Sequence, residues 1–322
     1  MIVGGIGRQF RNLRISLTAA CNYACTYCVP DGKRLLPADA ELSAEDMNYL
    51  VTLLVEVAGI EKVRITGGEP LLSAKFDDVI RNVGELGLSD VAITTNGQLI
   101  PRKESVLRAS TVRRVNVSLD TLDADHFRDI ARSGDLETVL KGIDLLLDMG
   151  CKVKINTVPM RSQNYDQLVP LLEYAMQRKI ELRYIELMNM GHLRESRQYQ
   201  QDFVGMAEIL DLIGQKYTVE TAYAPPDATA TRFEVLETGQ NFGVIANESA
   251  PFCAGCNRLR LSSNGQLFGC LSNSKSYNLT PLLALPQAQA IVQLQQKLGL
   301  ALGDKQPSRF SGEVTVMKFI GG

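Results

Sequence analysis

The chain has 322 residues, 45% hydrophobic and 22% charged, with a formal net charge of −2. That is length enough for one large domain plus an appendage. The near-neutral charge argues against bulk binding to nucleic acid or anionic membranes, and no apolar run reaches the roughly 18–20 residues needed to span a bilayer.

In chain order, the opening Met1-Ile2-Val3-Gly4-Gly5 is too short for a signal peptide and soon meets Arg8 and Arg11. The seven cysteines show no secretory pairing pattern, so a reducing, cytoplasmic setting is expected. From about residue 12 to about 190, short β-rich runs alternate with helical stretches. The strand candidates are 14–17, 63–66, 91–94, 115–118, 153–156 and 183–186. A helix should start near Ser43, where Asp46 completes a capping-box-like pattern and Leu50, Leu53, Leu54 and Val57 follow at helical spacing. Six βα units predict an α/β fold with a parallel sheet curled into an open, partial (βα)6 barrel. In such folds chemistry gathers at the C-terminal ends of the strands.

Past residue 190 the rhythm changes. A helix around Met206–Ile213 leads to a Pro225-Pro226 break, strands at 232–235 and 243–245, and a hairpin at Asn264-Gly265. The tail is helical from Leu279 and ends in Gly321-Gly322. A soft boundary near 220 divides the chain into residues 1–220 and 221–322.

Cys21, Cys25 and Cys28 are spaced C-x3-C-x2-C just after the first strand. Three thiolates on one loop can ligate three irons of a cubane iron–sulfur cluster and leave the fourth iron open to a small molecule. Structural zinc wants four protein ligands, and a disulfide staple would leave a thiol over. Cys253, Cys256 and Cys270 form a second set, with the hairpin able to return Cys270 beside the C-x2-C pair. A zinc ribbon is the alternative there, but His126, His192 and Cys151 are all distant in sequence. Cys151, between a helix end and a strand, reads as a small buried hydrophobe.

The first loop resembles that of the radical S-adenosylmethionine (SAM) superfamily. In that superfamily SAM chelates the open iron, and its reductive cleavage gives a 5′-deoxyadenosyl radical that abstracts a hydrogen atom. Cys253-x2-Cys256-x13-Cys270, the run Cys256-Asn257-Arg258-Leu259-Arg260 and the terminal Gly-Gly resemble one family within it over essentially the whole chain. That family is GTP 3′,8-cyclase, which opens molybdenum-cofactor synthesis. The resemblance implies two [4Fe-4S] clusters, SAM, and a C-terminal region that closes the barrel's open side. By it, Thr66-Gly67-Gly68-Glu69-Pro70 binds the SAM amino group through Gly68, Tyr27 reaches the adenine, Ser118 meets the ribose or carboxylate, and Met188 lines the adenine pocket. It also implies GTP contacts at Arg14, Arg64, Thr95, Lys154, Arg258, Leu259 and Arg260, and a tail that enters the active site.

The residues support a polyanion independently. Charged side chains inside parallel strands are unusual, arginine's fork suits phosphate, and alternation puts Arg258 and Arg260 on one face. A solvated hairpin face is the bland alternative. The implied partners are a flavodoxin- or ferredoxin-type electron donor, the downstream cyclic pyranopterin monophosphate synthase and a second copy of the chain. Departures from the family pattern are Ala19-Ala20 in place of Asp-Arg, Asn189 in place of Asp, and a shortened start at 5–8. Two rivals follow: a radical SAM enzyme with an auxiliary cluster acting on another substrate, such as a peptide, and a non-catalytic iron–sulfur electron carrier.

Overall fold

Alternation decides which way each strand faces. Leu13 and Ile15, Val63 and Ile65, Val115 and Val117, and Val153 and Ile155 are buried in the main apolar core. The residues between them, Arg14, Arg64, Asn116 and Lys154, therefore face the other side. The structure, a computed structural model, describes residues 9–33, 35–225, 228–272 and 274–306. The Gly-Gly tail, the 5–8 start and Pro226 lie outside the described residues.

The first half runs β1 (Asn12–Ser16), α1 (Ala44–Ala58), β2 (Lys62–Thr66), α2 (Phe76–Glu85), β3 (Asp90–Thr95), α3 (Glu104–Ala109), β4 (Arg114–Ser118), α4 (Ala124–Ala131), α5 (Leu136–Asp148), β5 (Lys152–Thr157), α6 (Leu168–Gln177) and β6 (Glu181–Ile185). These six strands are parallel neighbours in sequence order. α1 starts where the sequence predicts. The Ser43 hydroxyl accepts from the Asp46 amide at 3.0 Å, and Gly59 closes the helix at φ 68°.

The second half is α7 (Arg197–Asp202), α8 (Met206–Gly214), β7 (Val219–Ala222), β8 (Thr231–Val235), β9 (Gln240–Ile245), β10 (Arg258–Leu261), β11 (Gln266–Phe268), β12 (Tyr277–Asn278) and α9 (Gln287–Gly303). It adds strands to both edges, giving one 12-stranded sheet in the order β12-β11-β10-β1-β2-β3-β4-β5-β6-β9-β8-β7. β9 runs parallel to β6 and β10 parallel to β1, with Arg260 opposite Arg14. The two edges meet. Arg258 of β10 donates from Nη2 to the hydroxyl of Thr229, just before β8, at 2.8 Å. The predicted hairpin forms between β10 and β11, with Gly265 at φ 78°. No described helix is long and apolar enough to cross a membrane.

Candidate active site

The cysteine loop leaves the C-terminal end of β1 and is tied down by backbone. The Ala24 and Thr26 amides donate to the carbonyls of Ala131 and Ile130 at the end of α4, each at 3.0 Å. Arg132, in the left-handed region at φ 54°, donates to the Val29 carbonyl at 3.1 Å. The Cys28 and Val29 amides both turn back onto the Cys25 carbonyl. The loop's other wall is the Gly67-Gly68 turn. A β-carbon on Gly68 would lie 2.2 Å from the Ala20 carbonyl oxygen, so only glycine fits. The Gly68 and Glu69 amides donate across this contact to Thr18 and Ala20.

A cavity of about 670 Å³ opens above the strand ends. Cys21, Cys25, Cys28, Tyr27, Gly68, Ser118, Met188, Arg14, Arg64 and Thr95 all line it, so ten of the sequence-nominated residues converge. Burial pushes the Cys21 thiol up to about 11 and the Cys28 thiol to about 12, and moves Cys25 the same way. Thiolates here need a cation, which is what a metal cluster supplies. Among the described residues no three His, Cys, Asp or Glu side chains are gathered as a single metal ion would require. A cubane instead presents its irons at separate corners, and the donor set of three half-buried thiols on one loop suits it.

Sequence reasoning missed several residues of this cavity, Asp120 and His192 among them. Asp120, nearly buried beyond β4, accepts from the Tyr27 hydroxyl at 2.9 Å and from the Val158 amide at 2.8 Å. Burial lifts its carboxyl to about 6. His192, beyond β6, sits with Nε2 3.3 Å from the Thr26 carbonyl. The first follows Ser118 by two positions, which is the signal that would have found it.

A second cavity, about 300 Å³, lies toward the N-terminal ends of the strands and shares Arg14, Arg64, Arg183 and Thr229 with the first. The two adjoin across these four residues and are together termed the channel. Among the described residues, the walls of the second cavity carry eight cations, Arg14, Lys62, Arg64, Arg114, Lys154, Arg183, Arg232 and Arg258, and one carboxylate, Glu181. Lys62, Arg114, Arg183 and Arg232 were missed. The readable signal was a cation at the inward position of successive strands. Glu181 accepts from Lys154 at 2.7 Å and from Arg183 at 2.8 Å. The Nε atoms of Arg64, Arg114 and Arg232 are buried without a hydrogen-bond partner. Burial and the neighbouring guanidiniums of Arg114, Arg183 and Arg258 pull Arg64 down to about 9, and burial with Arg183 pulls Lys154 to about 8. A bound polyanion would relieve this crowding.

The second cysteine set borders neither cavity directly. Cys253 and Cys256 flank a short 3-10 turn, with the Cys256 amide on the Cys253 carbonyl at 3.1 Å. Cys270 follows β11, its sulfur 3.2 Å from the Ser272 hydroxyl. Burial works against a thiolate at Cys256, but Lys305 and Arg258 outweigh it and bring the thiol down to about 6. Arg258 links this set to the channel, donating to Cys256 Sγ at 3.6 Å and stacking on Phe252. Arg260 is buried beside it, with burial the main influence that lowers it to about 10. Neither arginine is a solvated hairpin residue. Leu259 points the other way, into the apolar core, and its side chain lines neither cavity. Cys151 is half-buried against the core.

The departures among the described residues, at Ala19-Ala20 and Asn189, lie off the main cavity. Ala19 donates its amide to Glu41 at 2.9 Å. Asn189 accepts from the Glu195 amide at 2.7 Å. Neither side chain lines the channel.

Two family models match the chain: the Radical SAM superfamily over residues 15–175 and Molybdenum Cofactor Synthesis C over 180–310. GTP 3′,8-cyclase of Synechocystis sp. is 37% identical over 91% of this chain and 88% of its own length. That of Marinobacter nauticus is 34% identical over 98% and 96%. Among solved structures, Streptococcus suis SuiB bound to S-adenosylmethionine shares the fold at TM-score 0.63 and 18% identity, over 84% of this chain and 63% of that one. Native anSMEcpe with bound AdoMet does so at TM-score 0.57 and 15% identity, over 96% and 93%. With both family models matched and relatives so similar over nearly full length, the chain belongs to the GTP 3′,8-cyclase family of radical SAM enzymes.

Proposed function

We propose that the chain is a radical SAM lyase that converts GTP to (8S)-3′,8-cyclo-7,8-dihydroguanosine 5′-triphosphate, the first step of molybdenum-cofactor biosynthesis. The observation that carries this reading is the channel: a half-buried three-thiol loop at one end and, among the described residues, eight cations at the other. Cys21, Cys25 and Cys28 would hold one [4Fe-4S] cluster, and Cys253, Cys256 and Cys270 a second. When bound, the first cluster and SAM supply the radical that removes the C3′ hydrogen of GTP.

The protein's own part is placement. Gly68, Tyr27, Ser118 and Met188 together bound the space beside the loop that would take SAM. The cation-rich end takes the triphosphate, with the guanidiniums of Arg64, Arg114 and Arg232 among the side chains that line it. The ribose is thereby set between the two ends. Such positioning, with water excluded, is where most of the acceleration of a radical step must come from. Arg258 spans from the channel wall to the second cysteine set, which on this reading holds the guanine. The region from about residue 221 contributes this set and the clasp across the open side. A peptide substrate gives no reason for eight cations, and a simple electron carrier gives none for the channel. A flavodoxin- or ferredoxin-type protein would donate the electron.

The test is anaerobic reconstitution with SAM and GTP deuterated at C3′. Deuterium should appear in 5′-deoxyadenosine, together with an isomer of GTP separable by chromatography. SAM cleavage without deuterium transfer would remove GTP as substrate, and no cleavage at all would favour the electron carrier.

A further inference from the structure

Lys305 lies just past the end of α9 and is 6% exposed. Its ammonium donates to Cys256 Sγ at 3.3 Å, to the Arg258 carbonyl at 2.8 Å and to the Gly269 carbonyl at 2.9 Å. It also sits 5.2 Å from the Phe10 ring centroid. The packing that puts it there is tight. A β-carbon on Gly269 would fall 1.8 Å from the Ala301 carbonyl oxygen, so α9 rests directly on the hairpin carrying Cys256 and Cys270. Two backbone carbonyls need donors, but an amide or a water serves them as well as an ammonium. Burying a charge beside Arg258 and Arg260 costs heavily unless it meets negative charge. The sulfur of Cys256 is such a charge when the cysteine is a metal ligand.

We infer that Lys305 is a positioning residue of the C-terminal iron–sulfur site, whose N–H···S bond to Cys256 holds the cysteinate and sets the reduction potential of the centre. This rests on the proposed second cluster. A cysteinate sulfur keeps lone pairs when it binds iron, so the bond survives loading. A hydrogen bond and a positive charge at that sulfur favour the more negative, reduced state and raise the potential. Lys305 thereby couples the docking of α9 to the electronic state of a centre that lies behind Arg258.

The experiment isolates the C-terminal centre in a full-length Cys21→Ala/Cys25→Ala/Cys28→Ala background, reconstituted anaerobically with iron and sulfide. Iron and sulfide are counted per chain, and the midpoint potential is read by spin-resonance-monitored titration. Lys305→Met in that background should shift the midpoint to a more negative value and lose iron faster to a chelator. Lys305→Arg should restore most of the shift, because it keeps the charge. If Lys305→Met takes up no iron, Lys305→Gln, which keeps amide donors but no charge, is titrated and judged by the same shift. A midpoint unchanged from the background overturns the inference while leaving the cluster intact. A background protein that holds no iron removes the cluster itself, and the inference with it.

Discussion

Glu69 shows how a single side chain can hold the site's frame at a cost. Its carboxylate accepts from the Leu71 amide, the Thr95 hydroxyl and the Asn96 amide, joining the Gly-Gly turn to the end of β3. Burial outweighs those bonds and lifts it to about 7, whereas an unfolded glutamate titrates near 4.3. The folded chain therefore holds this proton more tightly. Stability from this group is full below about pH 4, falls by roughly 4 kcal/mol in all as pH rises through about 7, and levels off above about pH 8. Urea unfolding of metal-free protein from pH 4.5 to 8 should show that fall, and Glu69→Gln should lose this part of the slope. Equal slopes in both proteins would place the titration elsewhere. Gly68 beside it answers to sterics. Gly68→Ala must displace the Ala20 carbonyl, which a β-carbon would approach to 2.2 Å. Overpacking of that kind costs about 1–3 kcal/mol, so the variant should unfold at lower denaturant and load less iron. Wild-type values in both assays would mean the loop moves aside freely.

At the scale of elements, β10 joins the barrel edge to the second cysteine set and, through Arg258, to Thr229 across the opening. Arg258→Ala should weaken GTP binding by about 1.5–3 kcal/mol, the scale of a hydrogen bond to a charged group. SAM binding should barely change, since SAM belongs to the other end of the channel. Added salt should weaken GTP binding more in the wild type than in the variant. Equilibrium titrations at two ionic strengths decide it, and equal GTP affinity would reduce Arg258 to a structural clasp. The six barrel strands were legible because alternation and βα rhythm are local signals, and each lies within two residues of its predicted place. β7 and β12, four and two residues long, carry too little pattern to read. The parallel docking of β9 on β6 and β10 on β1 is a long-range pairing to which periodicity is blind. The cysteines and Gly68 could be read because their chemistry is spacing. Arg132, Arg183 and Lys305 could not, because a lone cation in sequence looks the same whether it meets water, a carbonyl or a sulfur.

The molecule as a whole divides labour along one channel. Loss of the upper site should stop everything. Cys25→Ala should abolish SAM cleavage, while Cys256→Ala should retain some cleavage yet form no cyclised nucleotide. Equal loss of cleavage in both, with folding intact, would contradict the division. The lower end has a consequence for the resting protein. Among the described residues, eight cations share the walls of the lower cavity with one carboxylate, and although Asp90 pairs with Arg114 and Glu181 with Lys154, Arg183 and Arg232, the Nε atoms of Arg64, Arg114 and Arg232 are buried without a hydrogen-bond partner. The fold therefore tolerates a repulsion that a polyanion removes, and such a ligand must stabilise it by mass action. Inorganic tripolyphosphate, which has neither base nor ribose, should raise the unfolding midpoint, with a gain of about 2.7 kcal/mol at a hundred times its dissociation constant. Arg64→Ala should shift the concentration needed upward, and added salt should do the same in the wild type. Guanosine, which carries the base and ribose alone, should stabilise less. If guanosine raised the midpoint and tripolyphosphate did not, the cation-rich end would not be the phosphate seat, and the orientation proposed for GTP in the channel would have to be reversed.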